Sequence, residues 1–262
     1  DTEPLMEKLF QYRFEGKSEL AGHSFGNLFI AAMTKVTGDV EKALMESSKV
    51  LAVKGKVFPA STAKIRLTAT MEDGSLVEGE SQIPLAHKRI KRVHIFPREA
   101  EPVPSAINAI KNAEVIILGP GSLYTSIMPN FLVNQVAETV RKSKAIKIYI
   151  CNVMTQPGET DNYTASMHVK AILEHAGIGS VDYVLVNDKP ISPALQDFYA
   201  QKGQYPVVID EDAIHDLGIG FVKADLINET NVIHHDSEKL THNIMKMVYG
   251  LKTANKGNKK KK

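Results

Sequence analysis

Only one of the 262 residues is a cysteine, Cys151. A lone thiol excludes an intrachain disulfide, and nothing in the chain asks for an oxidising compartment. Long hydrophobic runs are also missing, since no stretch approaches the roughly 18 to 20 apolar residues that cross a bilayer. The opening Asp1-Thr2-Glu3-Pro4 has neither a basic segment nor an apolar signal core. The expected location is therefore the cytoplasm, without a membrane partner. Charge of one sign is scarce too: the formal net charge is +2, and the terminal run Lys259 to Lys262 exceeds that excess by itself. Residues 252–262 read as a disordered basic tail, and no nucleic-acid partner is implied. There is no Gly-x-Ser-x-Gly elbow, which removes the usual signal of an α/β hydrolase. His168 with His175, and His234 with His235, lack the spacing of a zinc site, so no metal ligands are assigned. No catalytic residue is assigned either. What remains, 43% hydrophobic and 24% charged residues, is the composition of an ordinary folded protein.

Leu5, Leu9 and Phe10, then Leu28, Ile30, Ala31 and Val36, recur at helical spacing; Gly38 stops that run and Asp39 caps another helix. From Ile65 to Ile83 the period changes to two about an Asp73-Gly74 turn, which predicts a β-hairpin subdomain over 64–84, peripheral to any ligand site. Strands are then expected at Val93–Phe96, Glu114–Leu118, Ile146–Cys151, Asp182–Val186, Val207–Ile209 and Phe221–Ala224. Helices fall between them, and a last helix runs from about Ser237 to Leu251. This βαβ succession predicts an α/β fold with a mostly parallel, doubly wound sheet and helices on both faces, whose ligands bind beyond the carboxyl ends of the strands.

Two strand-end loops stand out. Apolar Val115–Leu118 runs into Gly119-Pro120-Gly121-Ser122-Leu123-Tyr124-Thr125-Ser126. There the glycines permit close approach, and Ser122, Thr125 and Ser126 can set hydroxyls beside free N–H groups. An anion cradle and a purely structural tight turn both fit, because no Walker lysine follows. The next strand ends in the polar loop Asn152 to Thr164. Asn152 and Gln156 suit a base or sugar, while Glu159 and Asp161 can bind a cation or accept hydroxyl protons. Alternatively, Thr160 or Asp161 simply begins a turn or caps the next helix. Earlier, Gly22-His23-Ser24-Phe25-Gly26-Asn27-Leu28 either aims His23 and Asn27 into a pocket or supplies a helix cap. Cys151 reads as a buried structural thiol rather than a nucleophile.

Together the segments Gly22–Leu28, Leu118–Ser126, Cys151–Asp161 and Tyr183–Asn187 resemble the CofD-like superfamily, and more closely its gluconeogenesis-factor branch, UPF0052. The resemblance runs to about Leu251. It implies a single Rossmann-like domain over 1–262 that binds a UDP-sugar or related nucleotide, an NAD or GDP-like ligand being the other option. It also implies a regulatory role in cell shape and in growth on gluconeogenic carbon sources. The enzyme branch instead implies transfer of a phospholactyl group from a nucleotide-activated donor, with magnesium. Carried over by motif, Gly119, Pro120, Gly121, Ser122 and Thr125 are expected near phosphates, and Asn152, Gln156, Thr160 and Asp161 in the central pocket. His23, Gly26 and Asn27 are expected at a pocket edge, with Asn187 and Tyr199 on outer loops. A homodimer and regulatory protein partners are compatible with this reading. Relatives begin with a strand, a glycine-rich nucleotide turn and an Asp-Asp-Gly-Gly segment; this sequence opens downstream of them, so a first βα unit is expected to be lacking. His234-His235-Asp236 stands where relatives have Arg-His, which puts an arginine phosphate contact in doubt.

Overall fold

The computed structural model describes residues 3–17, 19–51, 54–229 and 232–259, in two compact units. The first comprises residues 1–62 and 102–106 and the second residues 63–101 and 107–262. The first is helical: α1 (Glu3–Gln11), α2 (Phe25–Thr37) and α3 (Val40–Val50). Ser24 Oγ accepts from Asn27 N–H to cap α2, and the Gly38 N–H closes its end on the Thr34 carbonyl. Asp39 caps α3 through Lys42 N–H at 2.7 Å. A β-carbon on Gly26 would stand 3.0 Å from the Phe10 carbonyl oxygen, so this glycine is needed where α2 crosses α1.

The second unit opens with β1 (Arg66–Met71), β2 (Leu76–Glu78), the short α4 (Gln82–Leu85) and β3 (Ile90–Phe96). All three strands form one antiparallel sheet in the order β2-β1-β3. Val93–Phe96 therefore joins the hairpin's sheet, where the sequence assigned it to the parallel one. Alternating apolar residues mark a strand without saying which partner it takes.

After α5 (Pro104–Asn112) comes the parallel sheet: β4 (Val115–Leu118), β5 (Ile146–Ile150), β6 (Tyr183–Asn187) and β7 (Gly220–Ala224), in that spatial order. Between β4 and β5 lie α6 (Met128–Leu132) and α7 (Val136–Lys142); α8 (Ala165–Ala176) leads to β6, and α9 (Pro193–Ala200) with α10 (Glu211–Asp216) to β7. The small pair β8 (Ile227–Glu229) and β9 (Ile233–His235) precedes α11 (Ser237–Lys259). Ile148 and Ile150 of β5 with Leu185 of β6 pack on one face against Ile244 and Val248 of α11. The i, i+4 spacing of that last pair presents one stripe to the sheet. Tyr149 alternates to the other face. On α8, buried Ala165, Val169, Ile172 and Ala176 follow the helical period.

Two boundaries differ from the sequence expectation. Val207–Ile209 is not a strand: Val207 N–H bonds Val153 and the Val208 carbonyl receives Ala165 N–H, so this stretch crosses loop ends instead of joining the sheet. Pro206 has no N–H to give a ladder. Helix α11 continues to Lys259, beyond the expected end at Leu251, and residues 260–262 of the expected tail lie outside the described residues. Among the described residues no helix is long and apolar enough to cross a membrane.

Candidate functional site

At the carboxyl ends of β4 and β5 lies a cavity of about 430 Å³. The loop after β4 contributes Pro120, Gly121 and Ser122, and the loop after β5 contributes Asn152, Val153, Met154 and Gln156. Tyr199, Gln204, Ile233 and His235 close it from later elements. The two loops are tied by an amide relay: Asn152 Nδ2 donates to Gln156 Oε1 at 3.1 Å, and Gln156 Nε2 donates to Ser122 Oγ at 2.8 Å. Below it, Met154, Ile191 and Ile227 form an apolar layer against which Val153, Tyr199 and Ile233 pack. Tyr199 contributes its ring while its hydroxyl accepts from Ile233 N–H at 3.0 Å, which holds β9 beside the cavity.

The two glycines of the first loop have different reasons. Gly119 has φ +86°, and a β-carbon there would press at 3.3 Å on the Ile150 carbonyl. At Gly121 a β-carbon would meet only Ser126 Cβ at an ordinary 3.5 Å. The fold requires the first glycine, whereas the second leaves room in the cavity. The Gly121 and Ser122 N–H groups have no acceptor among the described residues. Those of Tyr124 and Thr125 in the following turn go to Glu159, Tyr124 N–H at 3.2 Å from Oε2, and the Thr125 hydroxyl donates to Oε1 at 2.8 Å. Burial pushes the Glu159 carboxyl above its usual pKa, and the donors from Thr125 and Tyr124 oppose that. The chain thus places its own carboxylate where the sequence suggested Thr125 would face a phosphate.

Other expected residues serve the loop's shape. Thr160 is fully buried, and its Oγ1 accepts from Gln156 N–H at 2.9 Å; Asp161 accepts from Gly158 N–H at 2.7 Å. Asn187 lies outside the cavity lining, donating to the Lys189 carbonyl at 2.9 Å and accepting from Leu226 N–H at 3.1 Å. His23, just before α2, and Gly26 and Asn27, in its first turn, belong to the helical unit. Sequence reasoning missed Val153, Met154, Gln204 and Ile233, and named His235 only as a departure from the Arg-His of relatives, not as a cavity residue. The first two adjoin Asn152 and were within reach of a reading of that loop. His235 arrives only because β9 folds back on β8, a pairing that no local signal announces.

Cys151 is buried, and desolvation pushes its thiol pKa up to about 12. It is therefore protonated at neutral pH and a poor nucleophile. Burial also lowers the pKa of His168, His175 and His235, and less enclosed His94 moves the same way. The Nδ1–H groups of His168 and His175 donate to the Thr164 and Ala171 carbonyls, and His175 Nε2 accepts from Val93 N–H. Nε2 of His168 and of His235 is buried without a hydrogen-bond partner among the described residues. A histidine whose folded pKa is lowered stabilises the fold fully above its unfolded pKa of about 6.5 and less as pH falls below it. Glu159, with a raised pKa, acts in the opposite sense. We expect unfolding free energy to drop between pH 7.5 and 5.5, by up to about 1.4 kcal/mol per pH unit for each histidine fully linked. Urea titrations at the two pH values measure this, and equal midpoints would refute it.

Residues 1–227 match the family profile described as 2-phospho-L-lactate transferase CofD. The chain is 48% identical over 246 residues to the gluconeogenesis factor of Halalkalibacterium halodurans, covering 94% of this chain and 76% of that protein. It is 49% identical over 241 residues to that of Bacillus subtilis, covering 92% and 76%. A crystal structure of a UPF0052-family protein from Bacillus halodurans superposes with a TM-score of 0.88 at 48% identity, over 94% of this chain and 79% of that one.

Proposed function

The chain belongs to the CofD family and stands within it among the gluconeogenesis factors, and from that membership we propose that it is a regulatory protein that binds a nucleotide sugar of the UDP-sugar type. Through that ligand it would act in cell shape and in growth on gluconeogenic carbon sources, in the cytoplasm and with protein partners. The observation that carries the reading is the amide relay Asn152–Gln156–Ser122 facing a cavity beside the open Gly121 and Ser122 N–H groups. Amides pair with the edge of a base or with sugar hydroxyls, and N–H groups at a glycine turn suit a phosphate. Mixed amide and apolar lining of this kind binds and orients a ligand without supplying a nucleophile.

A CofD-type transferase would need magnesium beside a nucleotide-activated donor. The nearby carboxylates do not fit that role: Glu159 is held by Tyr124 and Thr125, and Asp161 by Gly158. Isothermal titration with a UDP-sugar, GDP and NAD, each with and without magnesium, tests the proposal. Binding of the UDP-sugar without magnesium is expected. Magnesium-dependent turnover of a phospholactyl donor would replace this reading with the transferase. As a second check, Gly121→Ala should fold with its stability changed by no more than about 0.5 kcal/mol while binding the UDP-sugar more weakly; unchanged affinity would remove the phosphate from this turn.

A further inference from the structure

A second cavity, of about 540 Å³, lies between the three-stranded sheet and α8 and shares no lining residue with the first. Its wall contains an irregularity in β3. Thr70 pairs with Arg92 and Met71 with Ile90, which leaves Lys91 as the extra residue of a bulge. In a regular strand Lys91 and Arg92 would point to opposite faces. Here both line the cavity. Arg89 and Lys170 bring its cations to four, against the carboxylates of Glu72 and Glu174. Those two carboxylates pair with Arg89 at 3.3 Å and with Lys170 at 3.9 Å. Arg92 reaches only the neutral Glu174 carbonyl, at 3.3 Å, and among the described residues neither it nor Lys91 has an ion-pair partner. The bulge thus sits in the cavity wall, and two of the four lining cations have no ion-pair partner among the described residues.

The floor has complementary chemistry. Buried Tyr124 and Tyr163 join their hydroxyls at 2.8 Å. Two hydroxyls share one hydrogen bond, so one O–H is left to donate, and no acceptor for it occurs among the described residues. His175 offers none, because both its nitrogens are engaged. Arg89 lies over the Tyr163 ring, 5.8 Å from its centroid, in a cation–π contact. The volume exceeds what a bare anion fills.

We propose that this cavity binds a small phosphate ester, whose phosphate is held by Lys91 and Arg92 and whose oxygens receive the free hydroxyl proton of the Tyr124–Tyr163 pair. Arginine and lysine supply charge-assisted hydrogen bonds to phosphate, and the site is independent of whatever occupies the strand-end cavity. The test is isothermal titration of the full chain with ribose 5-phosphate, ribose and inorganic phosphate. Expected are one ribose 5-phosphate bound per chain, no heat from ribose, and weaker binding of inorganic phosphate. The exposed pair Lys91→Ala with Arg92→Ala should weaken ribose 5-phosphate at least ten-fold, and Tyr163→Phe several-fold, while Gln156→Ala leaves it unchanged. Absence of binding, binding that survives the double substitution, or loss in Gln156→Ala alone would overturn the assignment. Equal affinity for inorganic phosphate would overturn the ester.

Discussion

A Gln156→Ala chain is expected to bind a UDP-sugar about five-fold to more than a hundred-fold more weakly than the parent, equivalent to roughly 1 to 3 kcal/mol. Gln156 is the middle of the relay, accepting from Asn152 and donating to Ser122. Its removal leaves a donor on one loop and an acceptor on the other without a partner, in a half-buried place where neither is fully hydrated. Asn152→Ala should act in the same direction, because it leaves Gln156 Oε1 free. Cys151→Ser, one residue from Asn152, should change affinity far less, since the thiol is buried, protonated and outside the cavity lining. Calorimetry on all three variants, with circular dichroism to show folding, reads the comparison. If Cys151→Ser abolished binding while both amide variants retained it, the relay would not be the ligand site.

The second large effect is expected at Gly158. Its φ is +76°, and a β-carbon there would lie 2.6 Å from the Pro84 carbonyl carbon and 2.8 Å from Pro84 Cα. Those are backbone atoms that cannot step aside as a side chain can. Gly158→Ala therefore combines left-handed strain with overpacking and should destabilise by about 2 to 4 kcal/mol. Urea unfolding measures it, with Gly121→Ala as the comparison in which no such contact exists. A Gly158→Ala chain as stable as the parent would mean that α4 and the loop after β5 are not in contact. The same contact alters the place of the hairpin. The sequence reading sets residues 64–84 away from the site, but Pro84 in α4, the segment that closes the hairpin, abuts the loop that carries Gln156 and Glu159. Shortening the tip at Asp73-Gly74 should still leave ligand affinity within about 1 kcal/mol, whereas changes around Pro84 should reach the cavity.

Much of this was legible in order along the chain. Strands β4 to β7 and the helices between them, the unassigned α10 excepted, are local periodicities, and Gly38, Asp39 and Ser24 are punctuation with short-range causes. The two loops at the strand ends were legible because a strand followed by glycines or amides is itself a local pattern. The sequence also placed Cys151 at the end of an apolar strand, where a thiol is buried.

What the tertiary structure alone decided involves groups distant in sequence. Glu159 lies 35 residues from Tyr124, and only the fold shows that this carboxylate already occupies the N–H groups a phosphate would have used. His235 enters the cavity through the β8–β9 pair, and Val93–Phe96 chose an antiparallel neighbour that alternation cannot specify. The bulge at Lys91 exists only relative to β1, since an extra residue is defined by the partner strand it fails to match. Local periodicity fixes what each segment is, because it reflects interactions within a few residues. Which polar groups find each other, and which are left open for a ligand, depends on pairings that a single chain read in order does not contain.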